Sequence, residues 1–268
     1  MDSFLRDDPD AWRRFVEAAH GDGSAVGIAY AHLKNVILAN CRAQFTADDF
    51  SFVVRTLAKS QKDAVSLVSL LSDEAELDTI LDHDLVYESL VDSIGCLRVS
   101  AAFYFYVLTR RVLRRASLDQ RALTDYVAAV LLAFSRTSQL SGPGETTGAR
   151  SFAYLSDMMA QAQKCGPEQA FVVRVHMANY ALFFSGLFAE RVQAHMHRRG
   201  APSLGFYEAV GQSTFRSMAD HPQARRTQLE SIFRMLGEEF RRVRVALNDL
   251  TGTLLHLHET PAIFTGLA

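Results

Sequence analysis

Proline and cysteine are scarce in this chain, with six and three respectively among 268 residues. So few prolines, with only 15 glycines, leave little turn-forming material for a protein of many short strands. The cysteines, Cys41, Cys96 and Cys165, are odd in number, far apart and free of any CxxC pairing. That excludes a closed disulfide framework and predicts small core thiols in a reducing compartment. Long apolar runs are also missing. The longest, Val99 to Thr109, has eleven residues, against the roughly 20 that a membrane-spanning helix needs. No membrane span is expected. The opening "MDSFLRDDPDAW" is acidic where a secretory signal would be basic and then apolar, so the expected location is the bacterial cytosol.

Lysine is scarce too. It occurs only at positions 34, 59, 62 and 164, and arginine supplies the rest of the positive charge. The net charge of −2 hides an asymmetry. Residues 1–92 carry 17 Asp and Glu against 8 Lys and Arg, and residues 93–268 carry 13 against 20. Two readings follow: the halves attract each other, or the basic half meets an anionic partner. Arg110, Arg111, Arg114 and Arg115 either complement the dipole at a helix end or form a phosphate-binding patch.

What is present is helical periodicity. Thr46 is an N-cap ahead of "ADDFSFVVRTLAKSQKDAVSLVSLL", whose apolar residues recur at three and four. Ser72-Asp73-Glu74 opens a short helix, and Asp82 or Asp84 opens a long one reaching Arg115. Ser117 or Asp119 caps the next, to about Gln139. "SGPGETTGA" at 141–149 is the strongest break. Further helices are expected over about 150–164, from Pro167 to Gly200, over 203–219, and from Ala224 to His258. In the last, Phe240, Val243, Leu247, Leu250, Leu254 and Leu257 form a heptad seam. No segment alternates with period two. The expected fold class is therefore all-α: a compact bundle of about eight to ten helices with a long heptad-patterned C-terminal helix. Its expected parts are an acidic 1–138, a loop or linker at 139–149, and a basic 150–268, which may instead interleave as one domain.

His195 and His197 lie two apart in a helical segment and point about 200° from each other. One ion cannot take both, and His256 and His258 share the problem. HExxH is absent, and Glu17-Ala-Ala-His20 has no second copy for a di-metal centre. "GDGSAVG" at 21–27 is neither a dinucleotide fingerprint nor a phosphate-binding loop. No GxSxG elbow is present. No catalytic residue, metal or cofactor is assigned. The arginine pairs at 110–111, 114–115, 198–199, 225–226 and 241–242 invite nucleic acid, but a pI near 6.5 counts against it.

Two glycines stand inside helical segments, where each costs about 1 kcal/mol relative to Ala. Gly186 lies among Phe183, Phe184, Leu187 and Phe188. Gly211 lies between Tyr207 and Phe215 on one face. Both are expected at tight helix crossings, and one shared crossing would satisfy both. The segments that hold them, "ALFFSGLFAERV" (181–192) and "FYEAVGQSTFR" (206–216), resemble a group of uncharacterised bacterial all-helical proteins over about 40 residues. Phe206 and Phe215 stand where tyrosine is expected in that group. The resemblance implies a helical fold and no particular activity.

Three functions are consistent with this reading. The first is a non-catalytic scaffold, adaptor or regulatory protein that binds a protein partner or itself. Its expected surface is the seam residues Leu247, Leu250 and Leu254 with Arg241, Arg242 and Arg244. The second is a small-molecule sensor or enzyme with an aromatic-lined pocket at Tyr104, Tyr106, His176, Tyr180 and Tyr207. The third is a nucleic-acid-associated regulator using the arginine-rich second half.

Overall fold

The computed structural model describes residues 41–92, 99–138, 148–199 and 202–258. Among the described residues every regular element is helical: a 3-10 turn at Arg42–Gln44 and twelve α-helices. In order they are α1 (Ala47–Leu57), α2 (Gln61–Leu71), α3 (Glu74–Leu81), α4 (Asp84–Asp92), α5 (Ala101–Arg115) and α6 (Arg121–Ser138), then α7 (Gly148–Lys164), α8 (Pro167–Leu187), α9 (Ala189–Arg199), α10 (Leu204–Ala219), α11 (Pro222–Arg226) and α12 (Glu230–His258). Glu17, His20, the 21–27 turn and Cys96 lie outside the described residues.

The excess over eight to ten helices comes from breaks within the longer expected ones. Thr46 does cap α1, in a reciprocal box with Asp49. That helix stops at Ala58, and Ser60 caps a new one by accepting from the Asp63 amide at 3.2 Å. The expected helix from Asp82 or Asp84 to Arg115 is α4 and α5. Ser100 is extended and accepts from the Phe103 amide at 3.1 Å, so a fresh helix begins there. Ser117 does not cap α6. It takes φ 58° and ends α5, with the Leu118 amide reaching back to Leu113 O at 2.9 Å. Gln228, also at φ 58°, breaks the chain between α11 and α12, with the Leu229 amide on Ala224 O at 2.8 Å. The last helix therefore starts at Glu230 and not at Ala224. The segment from Pro167 to Gly200 divides at Phe188.

The chain forms two interleaved units. One holds α1 to α6, Gly186–Phe188 and the part of α12 from Arg241 onward. The other holds α7, α8 to Ser185, α9, α10, α11 and α12 as far as Phe240. A division into 1–138 and 150–268 therefore misplaces the end of α12. That part carries Val243, Leu247 and Leu250, all fully buried, and apolar side chains of this kind associate wherever they lose most water.

The first unit is centred on α5, where Phe103, Tyr106, Leu108 and Leu113 are fully buried. Phe45 meets the rings of Phe103 and Tyr106 edge-on at 5.3 and 5.5 Å. In the second unit Phe215 packs on Phe233 at 5.6 Å and on Phe240 at 6.3 Å. α8 is 21 residues long, and by length and composition it is apolar enough to cross a membrane. Its polar residues interrupt every apolar run, so no long unbroken run appears in the sequence. Within the protein, 83% of its most apolar window is buried.

Candidate functional site

The densest set of interacting charges lies in the first unit, where α3, α5 and α6 meet. Asp78 is buried on α3 and has both carboxylate oxygens occupied. Oδ1 accepts from Tyr106 Oη at 2.7 Å, and Oδ2 accepts from Arg121 Nε at 2.6 Å. Arg42 and Arg110 lie 3.9 Å away. Arg110, buried on α5, grips Asp82 through Nε at 2.6 Å and Nη2 at 2.7 Å, the fork geometry that only arginine provides. Asp82 also takes Arg114 at 2.9 Å, and Asp119 takes Arg110 and Arg114 at 3.3 and 3.4 Å. Arg111 pairs with Asp84 and lies over the Tyr87 ring at 5.2 Å. Arg121, the first residue of α6, also donates to the Glu74 carbonyl at 2.9 Å.

This geometry bears on three of the four arginines at the end of α5. Arg110, Arg111 and Arg114 are held by Asp78, Asp82, Asp84 and Asp119. They are not an open phosphate patch. The charge asymmetry of the sequence is here an attraction within one unit. The spacing carried the signal: Asp78 and Asp82 are i,i+4, as are Arg110 and Arg114, so two ladders of opposite sign face each other.

The ionisation states suit a clamp. Burial would raise the Asp78 carboxyl, but the bonds from Tyr106 and Arg121 and the charges of Arg110 and Arg42 hold it below its ordinary value. Burial and the Asp78 carboxylate push the Tyr106 phenol well above its ordinary range. Burial opposes the charge on Arg110, and Asp82 and Asp78 more than restore it. None of these groups exchanges a proton near neutrality. Asp125 on α6 differs. Burial first, and the Asp78 carboxylate after the opposing Arg42 contacts, raise it to about 6, although its Oδ1 accepts from the Arg42 amide at 3.2 Å.

The five residues expected to line one aromatic pocket are divided between the units. Tyr104 and Tyr106 are on α5 in the first; His176, Tyr180 and Tyr207 are on α8 and α10 in the second. Tyr106 is committed to Asp78. Tyr104 Oη is buried with no hydrogen-bond partner among the described residues, and burial and Tyr87 push its phenol upward. His176 and Tyr207 are buried, and Tyr180 stacks on Phe184 at 5.7 Å. Neither unit assembles the pocket as expected.

The expected partner surface on α12 is corrected as well. Leu247, Leu250 and Arg244 are buried in the chain, so no partner reaches them. Arg241 and Arg242 are exposed, and Arg242 donates to the Ala116 carbonyl at the end of α5 at 2.7 Å. The side chain of Leu254 lies outside the described residues, as do those of His195 and His197.

Each interior glycine faces a different side chain of α12. A Cβ on Gly186 would lie 3.0 Å from Leu247 Cβ, and one on Gly211 only 2.1 Å from the Phe240 ring. One shared crossing is therefore excluded. Sequence reading passed over a third glycine, Gly237 on α12, where a Cβ would lie 2.6 Å from Arg216 Cγ and 3.1 Å from its backbone nitrogen. α10 and α12 thus approach through one glycine from each helix. Beside Gly186, Ser185 Oγ donates back to the Ala181 carbonyl at 2.6 Å, just before the chain breaks at Phe188.

α2 presents the opposite situation. Val65 is 64% exposed, Val68 56% and Leu70 44%, and among the eleven residues of this helix only Leu71 is buried. Among the described residues, no three of His, Cys, Asp and Glu gather as a metal site. Among the described residues Cys41 and Cys165 form no disulfide, and the buried Cys41 thiol donates to the Ala102 carbonyl at 3.2 Å. No protein-family model, no curated protein and no solved structure matches this chain.

Proposed function

We propose that the chain is a non-catalytic helical adaptor that binds an amphipathic helix of a partner protein through the outer face of α2. The carrying observation is the exposure of Val65 and Val68, 64% and 56%, on a helix whose own packing buries a single residue. β-Branched residues weaken an exposed helix slightly and gain nothing from solvent. Clustered there, they suit a surface that is covered in use. α2 packs against α1 and α3, and α3 is tied in turn to α5 and α6 through Asp78.

The partner's chemistry follows from charge. Asp73, Glu74 and Glu76 are exposed immediately beyond α2, outside the ion pairs that occupy Asp78, Asp82 and Asp84. An apolar stripe flanked by basic residues is the complementary ligand. In the bacterial cytosol, where this reading sets the protein, Cys41 and Cys165 would stay reduced.

The test is fluorescence anisotropy with a labelled synthetic amphipathic helix of leucine and lysine. The native chain should bind it and should bind a leucine–glutamate counterpart at least about tenfold more weakly. The double variant Val65→Asp, Val68→Asp should lose binding while keeping its melting temperature, because both residues are exposed. Equal binding by that variant, or equal binding of both peptides, refutes the proposal.

A further inference from the structure

The second unit contains a cleft of about 260 Å³ between α7, α8 and α10. Its apolar wall is methionine: Met159 from α7, Met177 from α8 and Met218 from α10. Thioether side chains are unbranched and polarisable, and they adapt to flexible aliphatic ligands better than a rigid aromatic wall does. Its polar side is Arg174 of α8 with the hydroxyls of Ser213 and Ser217 on α10. Arg174 and Met177 are one turn apart, so the cation and the apolar wall belong to the same helix face. Arg174 is exposed, and no carboxylate pairs with it among the described residues. In the other unit Arg110, Arg111 and Arg114 are all held by aspartates. The cleft thus sets a cation that no carboxylate pairs with among the described residues beside a methionine wall.

We propose that this cleft binds a medium-chain aliphatic carboxylate. The chain lies against Met159, Met177 and Met218, and the carboxylate is held by Arg174 with Ser217, since the Ser213 hydroxyl already donates to the Ala209 carbonyl at 2.7 Å. A cavity of about 150 Å³ holds one benzene, so the same packing gives this cleft room for about ten non-hydrogen atoms. Octanoate has that size. An arginine fork matches a carboxylate in two parallel hydrogen bonds, which selects the acid over the amine or alcohol of equal length. The site is separate from α2, and its occupancy does not depend on the adaptor function.

The experiment is a titration of the full chain, labelled with ¹³C at the methionine methyls, with octanoate, octanol and octylamine. Octanoate should shift three methyl resonances, those of Met159, Met177 and Met218, and should bind at least about tenfold more tightly than either analogue. Arg174→Ala should lose about tenfold in octanoate affinity while its octanol binding stays unchanged. Ser217→Phe should abolish binding of all three by filling the cleft. Arg174 and Ser217 are both exposed, so neither substitution disturbs the core. The proposal fails if octanoate moves none of the three methyls, if octylamine binds as tightly as octanoate, or if Arg174→Ala or Ser217→Phe leaves octanoate binding intact.

Discussion

Replacing Gly211 with alanine adds one methyl group, and the structure determines the sign of its effect. Helix propensity alone favours the change by about 1 kcal/mol. The new Cβ, however, would stand 2.1 Å from Phe240 Cε2 and 2.3 Å from Cζ, where carbon atoms prefer about 3.5–4.0 Å. Phe240 cannot swing into solvent, since its ring is fully buried and packs on Phe215 at 6.3 Å. α10 must therefore move outward, or the ring must leave its rotamer. Overpacking of this kind costs about 1–3 kcal/mol and sometimes more, and so short a contact belongs at the upper end. The expected net loss is about 2 kcal/mol, or roughly 4–8 °C in melting temperature for a chain of this size. Gly205 is the internal control, being on the same helix with only Ser203 Oγ nearby at 3.5 Å. Gly205→Ala should hold or raise the melting temperature. Calorimetry on both variants decides the matter, and the double variant Gly211→Ala, Phe240→Leu should recover part of the loss through a favourable coupling term. If Gly211→Ala melts at or above the parent temperature, the close approach of α10 to α12 is wrong.

The charge network yields further expectations. Arg110→Met should cost about 1.5–3 kcal/mol in urea denaturation, because it removes the forked bonds to the half-buried Asp82, which keeps only Arg114 at 2.9 Å. Arg111→Met, whose partner Asp84 is exposed, should cost less than about 1 kcal/mol. Tyr106→Phe removes one bond to a buried carboxylate and should cost about 1.5–3 kcal/mol, measured the same way. Asp125 sets a pH dependence. Its folded pKa of about 6 exceeds the unfolded value, so its contribution is fully favourable at low pH and declines as pH rises toward and through 6. Asp125→Asn, which can still accept from the Arg42 amide, should flatten the melting temperature between about pH 4 and 6 and raise it by a few degrees at pH 8. Asp78 acts in the opposite direction. Its depressed pKa gives stability above the unfolded carboxylate range, and that stability is lost as pH falls through the folded value, so acid unfolding in the Asp125→Asn variant should begin below pH 4.

The helical class was legible because 3.6-residue periodicity is a local property, and so were caps such as Thr46 and Asp73, whose partners lie two or three residues on. The breaks were not. Ser117 and Gln228 adopt a left-handed conformation usually reserved for glycine, and no sequence rule singles out a serine or a glutamine for it. Ser100 opens α5 partly because it donates to Asp49 through its amide at 2.6 Å and its hydroxyl at 2.7 Å, and Asp49 lies 51 residues away. The α12 seam was visible, but periodicity reports that a face is buried and does not say against what. Leu247 and Leu250 are covered by the protein itself, while the exposed valines of α2 lie within a pattern that reads as an ordinary amphipathic helix.

The interior glycines show how far local reasoning carries. A glycine in mid-helix implies that something lies close, and at Gly186 that is Leu247, while at Gly211 it is Phe240. Proximity alone does not give the sign of a substitution. At Gly186 the nearest atoms are Leu247 Cβ at 3.0 Å and Cδ1 at 3.2 Å, a shortfall of a few tenths of an ångström: side-chain rotation relieves Cδ1, and Cβ gains room only through a small shift of the two helices. The helix-propensity gain of about 1 kcal/mol then offsets most of the strain. Gly186→Ala should therefore leave the melting temperature within about 2 °C of the parent, where Gly211→Ala lowers it by several degrees. Two glycines that look alike in sequence are separated by what stands opposite them: a leucine branch that yields, or an aromatic ring with nowhere to go.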